Sequence, residues 1–228
     1  MIEKTCFVSD LGLLDYKETW AIQNAVARRR AENEIFDSII FVQHPHTYTL
    51  GRRGKPSDIL VDRGFLNDKG IDVYDVDRGG EVTYHGPGQV VAYPVFDIKQ
   101  LGGALAYIHF LENIVIDTIF ELGLDAYSKD GCTGVWVGDA KIASLGVKIS
   151  RGITTHGFAL NINTDLDYYK YIIPCGMPDE QITSLRKLLG HDLPEKEIIG
   201  ILKRQFGRLL RRDIKEVGLV DLLGTGPD

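Results

Sequence analysis

The stretch from Arg78 to Gln89, RGGEVTYHGPGQ, constrains the fold more than any other part of the sequence. Gly79 and Gly80 can adopt positive φ, and glycine lets a ligand approach the main chain closely. The residues that follow, VTY, favour extended structure, and the GPG run that begins at Gly86 forms a turn. The composition therefore predicts two strands joined by a turn, with exposed backbone at one end.

Two interpretations of this stretch stay open on composition alone. A glycine- and proline-rich turn inside a β-hairpin is the ordinary one, since glycine-rich loops are a weak motif class. A binding surface made largely of backbone is the alternative, and it is favoured by the polar side chains of Arg78 and His85 at the two ends of the stretch.

The longer run RGGEVTYHGPGQVVAYPVFDI resembles the signature of the lipoate biosynthesis protein B family, the octanoyl-[acyl-carrier-protein]:protein octanoyltransferases. That family shares a fold superfamily with the biotin and lipoate protein ligases. Two later stretches also match it: GDAKIASLG, which begins at Gly138, and Pro174-Cys175-Gly176. The resemblance extends from about Trp20 to about Leu189.

Length and charge limit the class of protein. With 228 residues and 44% hydrophobic content, the chain can form one substantial core, and we expect a single domain over residues 1–228. The net charge of −6 disfavours a general nucleic-acid binder, which needs an excess of Lys and Arg. The basic runs Arg28-Arg29-Arg30 and Arg52-Arg53 are either solvated surface or contacts for an acidic partner.

Neither a membrane anchor nor a metal centre is expected. The sequence has no apolar run of about 18 residues and no signal-peptide pattern at its start, so we expect a cytoplasmic location and no membrane contact. Cys6, Cys132 and Cys175 are too widely spaced for a disulfide framework or a tetrahedral metal site. Cys6 lies in an apolar run typical of a core, and Cys132 in a glycine-flanked turn typical of a surface.

Hydrophobic periodicity predicts alternating helices and strands. Leu105 to Leu122 repeats apolar residues at helical spacing and is followed by Gly123, a helix stop. Gly138-Asp139 separates two short β-forming runs and predicts a hairpin, while Pro94 indicates a strand edge or end. Further helices are predicted at about Leu14–Asn33, after Ser184 and after Pro194, and further strands at Ser38–Val42, Thr47–Gly51, Ile71–Val76 and Thr154–Ile162.

This succession of hairpins favours an α/β (α+β) fold with a mixed, largely antiparallel sheet and flanking helices. The resemblance implies the same architecture, that of the biotin and lipoate protein ligase catalytic domain.

Cys175 and Lys141 are the candidate catalytic residues. Cys175 lies between proline and glycine, outside any amphipathic pattern, but sequence alone does not reveal whether its thiol is reactive. A lysine just after a hairpin turn is ordinarily exposed, yet the small and apolar neighbours of Lys141 offer little surface for its side chain to cover. The resemblance assigns the acyl-thioester nucleophile to Cys175 and pairs Lys141 with it, as a nearby cation or as a base.

The resemblance also implies which segments line the acyl site. A pocket for a saturated chain needs apolar walls, and a thioester carbonyl needs backbone N–H donors nearby. Among the histidines, His44, His46 and His156 are candidates for the rim of the site. The implied lining residues are Arg78, Gly79, Gly80, Glu81, Val82, Thr83, Tyr84, His85, Ser144, Leu145, Gly146, Gly157, Phe158 and Ala159.

The function that the resemblance implies is transfer of an octanoyl or lipoyl group to a lysine of a lipoyl domain through an acyl-cysteine. The implied donor is octanoyl-acyl carrier protein. The implied acceptors are the lipoyl domains of 2-oxoacid dehydrogenases and the glycine cleavage H protein, and no cofactor is needed. Three alternatives stay open: an ATP-dependent lipoate or biotin ligase, a non-catalytic module that binds these partners, and a thioester hydrolase.

Overall fold

The computed structural model describes residues 4–174 and 180–224. Its strands are β1 (Thr5–Leu13), β2 (Ser38–Gln43), β3 (Thr47–Leu50), β4 (Asp72–Asp75), β5 (Val82–His85), β6 (Gln89–Val95), β7 (Ala126–Lys129), β8 (Cys132–Val137), β9 (Ala140–Ser150), β10 (Ile153–Asn161) and β11 (Asp213–Glu216). Its α-helices are α1 (Tyr16–Ala31), α2 (Arg63–Asp68), α3 (Ala104–Glu121), α4 (Leu185–Leu189), α5 (Glu195–Leu210) and α6 (Leu219–Leu223).

The strands form one large and one small sheet. The eight-stranded sheet has the order β11-β1-β2-β6-β10-β9-β8-β7, and the three-stranded sheet has the order β4-β3-β5. Pairing is parallel from β11 through β1 to β2 and antiparallel from β2 to β7. The predicted α/β (α+β) class with a mixed, largely antiparallel sheet and flanking helices is confirmed.

The turn after β5 does not close a hairpin. β5 pairs with β3 in the small sheet, whereas β6 lies between β2 and β10 in the large sheet. Gly88 has a φ of +80°, its carbonyl accepts hydrogen bonds from the backbone of Ile162 and Asn163, and a Cβ there would lie 2.7 Å from Asn163 C. The hairpin interpretation is therefore wrong, because the turn is docked on the chain that follows β10.

Of the two predictions for Pro94, the strand end is confirmed, because β6 ends at Val95, and the sheet edge is wrong. Pro94 lies in β6, one of the central strands, opposite Ile39 of β2. On its other side, regular pairing with β10 stops at Ala92, and the carbonyl of Pro94 accepts instead from the hydroxyl of Thr154. A proline is tolerated there because the ladder is interrupted and no strand N–H is required.

Helices cover both faces of the large sheet. The helices α3 and α5 contact each other and share a hydrophobic core with the sheet that includes Phe41, Leu111 and Phe206. The helices α1 and α6 contact each other, and a second core contains Val26 and Leu222. Among the described residues, no helix is both long and apolar enough to cross a bilayer. The final strand and helix, β11 and α6, were not predicted.

The buried carboxylate of Asp37 links several segments of the chain near the end of the large sheet. The two oxygens of Asp37 accept hydrogen bonds from Arg30 Nε and from Arg212 Nη1, each at 2.6 Å, and Oδ1 also accepts from the backbone of Asp97. All three charged side chains are at most 3% exposed. Asp37 therefore joins the end of α1, the start of β2 and the chain that enters β11.

We predict that Asp37→Asn lowers the free energy of unfolding by about 3–5 kcal/mol, because it leaves two buried guanidinium groups without their carboxylate. Urea denaturation followed by far-UV circular dichroism measures this. The matched control is Glu34→Gln, which removes the exposed ion pair with Arg29 and should cost less than about 1 kcal/mol. Equal losses in the two variants would contradict the role given to Asp37.

Candidate active site

A cavity of about 460 Å³ opens between the glycine stretch, β9 and β10. The structure brings nearly all of the predicted lining residues to this one cavity. Tyr84 is the exception: it is a fully buried residue of β5 in the small sheet, and its hydroxyl lies 2.8 Å from Nδ1 of His46. The predicted residues around the cavity are Arg78, Gly79, Gly80, Glu81, Val82, Thr83, His85, Ser144, Leu145, Gly146, Gly157, Phe158 and Ala159.

The glycine stretch lies directly against β9. The backbone N–H of Gly79 donates to the carbonyl of Val147 at 2.9 Å. A Cβ on Gly146 would lie 2.9 Å from the carbonyl oxygen of Gly79, which is closer than real Cβ atoms approach. Gly80 has a φ of +89°, a conformation that glycine adopts without strain. The glycines are therefore required for this approach of two backbone segments at the cavity wall.

The side chain of Arg78 stabilises the same wall of the cavity through hydrogen bonds to backbone carbonyls. Its side chain is buried, and Nη2 donates to the carbonyl of Thr49 at 2.7 Å and to that of Glu81 at 3.0 Å. Nη1 donates to the carbonyl of Gly79 at 2.9 Å. The guanidinium thus fixes the conformation of the glycine stretch and places a positive charge beside the cavity.

His156 is held in a conformation that is rare for a histidine. It lies within β10 with a φ of +57°, and its backbone N–H donates to Gln23. Nε2 lies 2.8 Å from Oδ1 of Asp77, and Nδ1 lies 3.4 Å from the hydroxyl of Tyr16. Strained backbone of this kind concentrates at functional sites. His156, a predicted rim candidate, does line the cavity, and its side chain is buried there.

The hydrogen bond from His156, together with one from Lys148, lowers the pKa of the Asp77 carboxyl well below its usual value. Burial lowers the pKa of His156, although Asp77 opposes this effect. A neutral His156 therefore donates from Nε2 to the ionised Asp77, and its Nδ1 accepts from Tyr16.

Three further buried polar side chains near the cavity, those of His44, His85 and Tyr16, are uncharged near neutral pH. Burial lowers the pKa of His44 to about 4 and moves that of His85 well below its usual value. Burial also raises the pKa of Tyr16 to about 12. His44 is fully buried, so it is not a rim residue, and His46 stacks on Tyr168 at the small sheet. A neutral floor suits an acyl chain better than a charged ligand.

Lys141 is buried rather than exposed. Its side chain is only 2% exposed, and Nζ lies 4.9 Å from the centre of the Trp136 ring. Gly134 makes room for it, since a Cβ there would lie 2.5 Å from Cε of Lys141. Lys141 also lines the cavity. Lys141 is therefore not an ordinary exposed lysine, which agrees with the small and apolar residues around it in the sequence.

The chain from Glu180 onward pairs with Lys141. The backbone N–H of Lys141 donates to the carbonyl of Gln181 at 2.7 Å, and that of Thr183 donates to the carbonyl of Lys141 at 2.9 Å. Cys175, the predicted nucleophile, lies outside the described residues. The structure thus places the segment that follows Cys175 in the sequence beside Lys141.

The two described cysteines differ in position. Cys6 is fully buried in the core, as expected. Cys132 begins β8, is half-buried and lines the cavity, so its prediction as a surface turn residue is wrong.

Several cavity residues were missed by the sequence interpretation, and some of them come from distant parts of the chain. Tyr16 begins α1 and Ile108 belongs to α3, whereas Tyr93 of β6 lies just after the glycine stretch. No local pattern distinguishes them from ordinary core residues. The missed lining residues are Tyr16, Arg53, Val91, Tyr93, Ile108, Gly131, Cys132, Thr133 and Val147.

Residues 15–207 match the family described as the lipoyl protein ligase A/B catalytic domain. The chain belongs to this family. It is 38% identical to an octanoyltransferase of Koribacter versatilis, over 97% of this chain and 91% of that protein. It is 39% identical to an octanoyltransferase of Bacteroides thetaiotaomicron, over 94% of this chain and 99% of that protein. The predicted family and the predicted acyltransferase activity are confirmed.

Solved structures share the fold. A lipoate-protein ligase A bound with ATP superposes with a TM-score of 0.74 at 16% identity, covering 97% of this chain and 92% of the other. A biotin protein ligase from Aquifex aeolicus in complex with biotin and ATP superposes with a TM-score of 0.52 at 14% identity, covering 91% of this chain and 70% of the other. The predicted likeness to the biotin and lipoate ligase catalytic domain is confirmed.

We predict that Gly134→Ala lowers octanoyl transfer about 100-fold, because its Cβ displaces Lys141, and a misplacement of about 1 Å has an effect of that size. The matched control is Gly138→Ala in the same hairpin. Both glycines have positive φ, but a Cβ on Gly138 meets nothing within 4 Å. The measurement compares transfer rates with thermal unfolding midpoints. Similar rates in two equally stable variants would contradict the role of Gly134.

Proposed function

We propose that this protein transfers an octanoyl group from acyl carrier protein to the ε-amine of a lysine on a lipoyl domain, through a thioester on Cys175. The observation that carries the proposal is the burial of Lys141 beside an acyl-sized cavity and against the segment that follows Cys175 in the sequence. The names of the similar octanoyltransferases support the same assignment.

In the first step, the thiolate of Cys175 attacks the thioester carbonyl of the octanoyl donor. A bond forms between the acyl carbon and Sγ of Cys175, and the bond between that carbon and the carrier's sulfur breaks. Lys141 accepts the proton of the Cys175 thiol and delivers it to the departing carrier thiolate. The products are acyl-Cys175 and the free carrier thiol.

In the second step, the neutral ε-amine of the acceptor lysine attacks the acyl-Cys175 carbonyl. A carbon–nitrogen bond forms, the carbon–sulfur bond breaks, and Lys141 moves a proton from the attacking amine to the Cys175 sulfur. The thioester supplies the free energy for the amide, so this route uses no ATP. A lipoyl group attached to the same carrier would follow the same two steps.

The cavity offers an apolar wall for the acyl chain. Val82, Val91, Leu145 and Phe158 line it above the neutral histidines and tyrosines. Each methylene buried there contributes about 0.8 kcal/mol, so affinity rises with chain length until the chain meets the end of the cavity.

The loop after β3 suits an acidic carrier protein. Arg52, Arg53 and Lys55 are exposed, and Arg53 lines the cavity while its Nε donates to Glu81 at 2.7 Å. Positive charge at an entrance steers an acidic partner toward it. The run Arg28-Arg29-Arg30 has other contacts, because Arg30 binds Asp37 and Arg29 binds Glu34. We therefore assign carrier docking to the Arg52–Lys55 loop, and the acceptors to lipoyl domains such as those of 2-oxoacid dehydrogenases and the glycine cleavage H protein.

We predict that Lys141→Arg loses about 100-fold or more of transfer while Cys175 still reacts readily with iodoacetamide. Arginine keeps the positive charge beside the thiol, but a guanidinium does not release its proton at accessible pH. The measurement is the pH dependence of Cys175 labelling in the wild type, Lys141→Arg and Lys141→Ala, resolved by peptide, together with transfer rates measured with and without ATP.

Three results would contradict parts of the proposal. Unchanged labelling profiles and rates in both variants would remove Lys141 from the mechanism. Transfer that requires ATP and survives Cys175→Ala would indicate a ligase. Release of free octanoate in place of acylated lipoyl domain would indicate a hydrolase.

A further inference from the structure

Glu180 places a buried carboxylate beside Lys141. Its side chain is 6% exposed, and Oε1 accepts a hydrogen bond of 2.8 Å from the indole Nε1 of Trp136. The other oxygen, Oε2, is buried without a hydrogen-bond partner and lies 3.9 Å from Nζ of Lys141. A buried carboxylate oxygen without a hydrogen bond is costly, so it is retained where a charge nearby compensates it.

Trp136 connects the two charged side chains. It is fully buried in β8, and its ring lies 4.9 Å from the Lys141 ammonium while its indole N–H holds Glu180. The ring therefore fixes both the distance and the direction between the carboxylate and the ammonium. An interaction with Trp136 alone would need only one carboxylate oxygen, and it does not account for the direction of Oε2 toward Nζ.

We propose that Glu180 is a positioning residue for acyl transfer, which stabilises the ammonium form of Lys141 and holds Nζ in the cavity wall. This inference rests on the role proposed above for Lys141. In that role, Lys141 takes the proton of the Cys175 thiol and becomes positively charged. A carboxylate at 3.9 Å makes this proton transfer more favourable, because opposite charges stabilise each other in a buried site.

Among the described residues, the other charges around Lys141 do not replace Glu180. Glu81 interacts with Lys141 through space, but its carboxylate accepts a hydrogen bond from Arg53, which lowers its pKa. Lys129 lies over the Trp136 ring at 4.8 Å and adds positive charge. Of the carboxylates that the structure describes near Lys141, Glu180 is thus the one with a buried oxygen outside any hydrogen bond and 3.9 Å from Nζ.

The decisive variant is Glu180→Gln. Glutamine keeps the volume and an acceptor for the indole of Trp136, so a purely structural role survives, but the negative charge is removed. We expect kcat to fall about tenfold or more, with KM for the octanoyl donor within about twofold of wild type. We also expect the alkaline limb of the kcat–pH profile to move to lower pH, because the ammonium loses the charge that stabilises it.

Two further variants keep the test decisive. Glu195→Gln makes the same substitution at a partly buried carboxylate that binds Asn163, and it should retain wild-type kcat and pH profile. Trp136→Phe keeps a ring beside Lys141 but cannot donate to Glu180, and it should also lower kcat with KM little changed. Thermal unfolding midpoints identify the folded variants, and Trp136→Phe decides the question where Glu180→Gln does not fold.

The outcomes separate this inference from the proposed function. A wild-type kcat and pH profile in Glu180→Gln, while Lys141→Ala abolishes transfer, would overturn the role of Glu180 and leave the function intact. Full transfer by Lys141→Ala would overturn both. A loss of kcat in Glu180→Gln with an unmoved pH profile would assign Glu180 to packing and contradict the inference.

Discussion

Two backbone hydrogen bonds, between Lys141 and residues 181–183, hold the candidate active site together. They join a late segment of the chain to the beginning of strand β9, which is far away in the sequence. Because Glu180 directly precedes these residues, the same contact brings a buried carboxylate to a buried lysine. Trp136 then fixes both side chains from β8. The position of Lys141 thus depends on backbone pairing with this segment.

The cavity is built by close approach of backbone. Gly79 binds Val147, Gly146 lies against Gly79, and Arg78 ties the glycine stretch to Thr49 and Glu81. Side chains larger than glycine would separate these segments. Beneath them, burial keeps His85 and His44 neutral, whereas the ionised Asp77 is paired with His156 and Lys148. The floor of the cavity is therefore polar but uncharged, and the charges lie at its walls.

Local features were predictable from the sequence. The hairpin at Gly138, the helix α3 and the Ser184 cap of α4 depend on residues within a few positions of one another. Partner choice between strands was not predictable in this way. The turn at Gly88 looks like a hairpin turn, but it docks on Asn163, which is distant in sequence.

In the candidate active site, too, contacts between residues that are distant in the sequence could not be predicted. The lining segments followed from the family resemblance, whereas the contributions of Tyr16, Tyr93 and Ile108 depend on packing between distant elements. The burial of Lys141 could be suspected from its small neighbours. Its partner Glu180 could not, because that contact arises only when Lys141 of β9 pairs with the later segment.

The central claim is that the octanoyl group passes through Cys175. Its most direct test is a single-turnover reaction with octanoyl-acyl carrier protein, quenched in acid before the lipoyl domain is added, with the acyl site located by peptide mass spectrometry. The account predicts one octanoyl group on Cys175, which is transferred to the lipoyl domain when that acceptor is supplied. An octanoyl group on Cys6 or Cys132, or transfer to the lipoyl domain without any acylated protein, would contradict it.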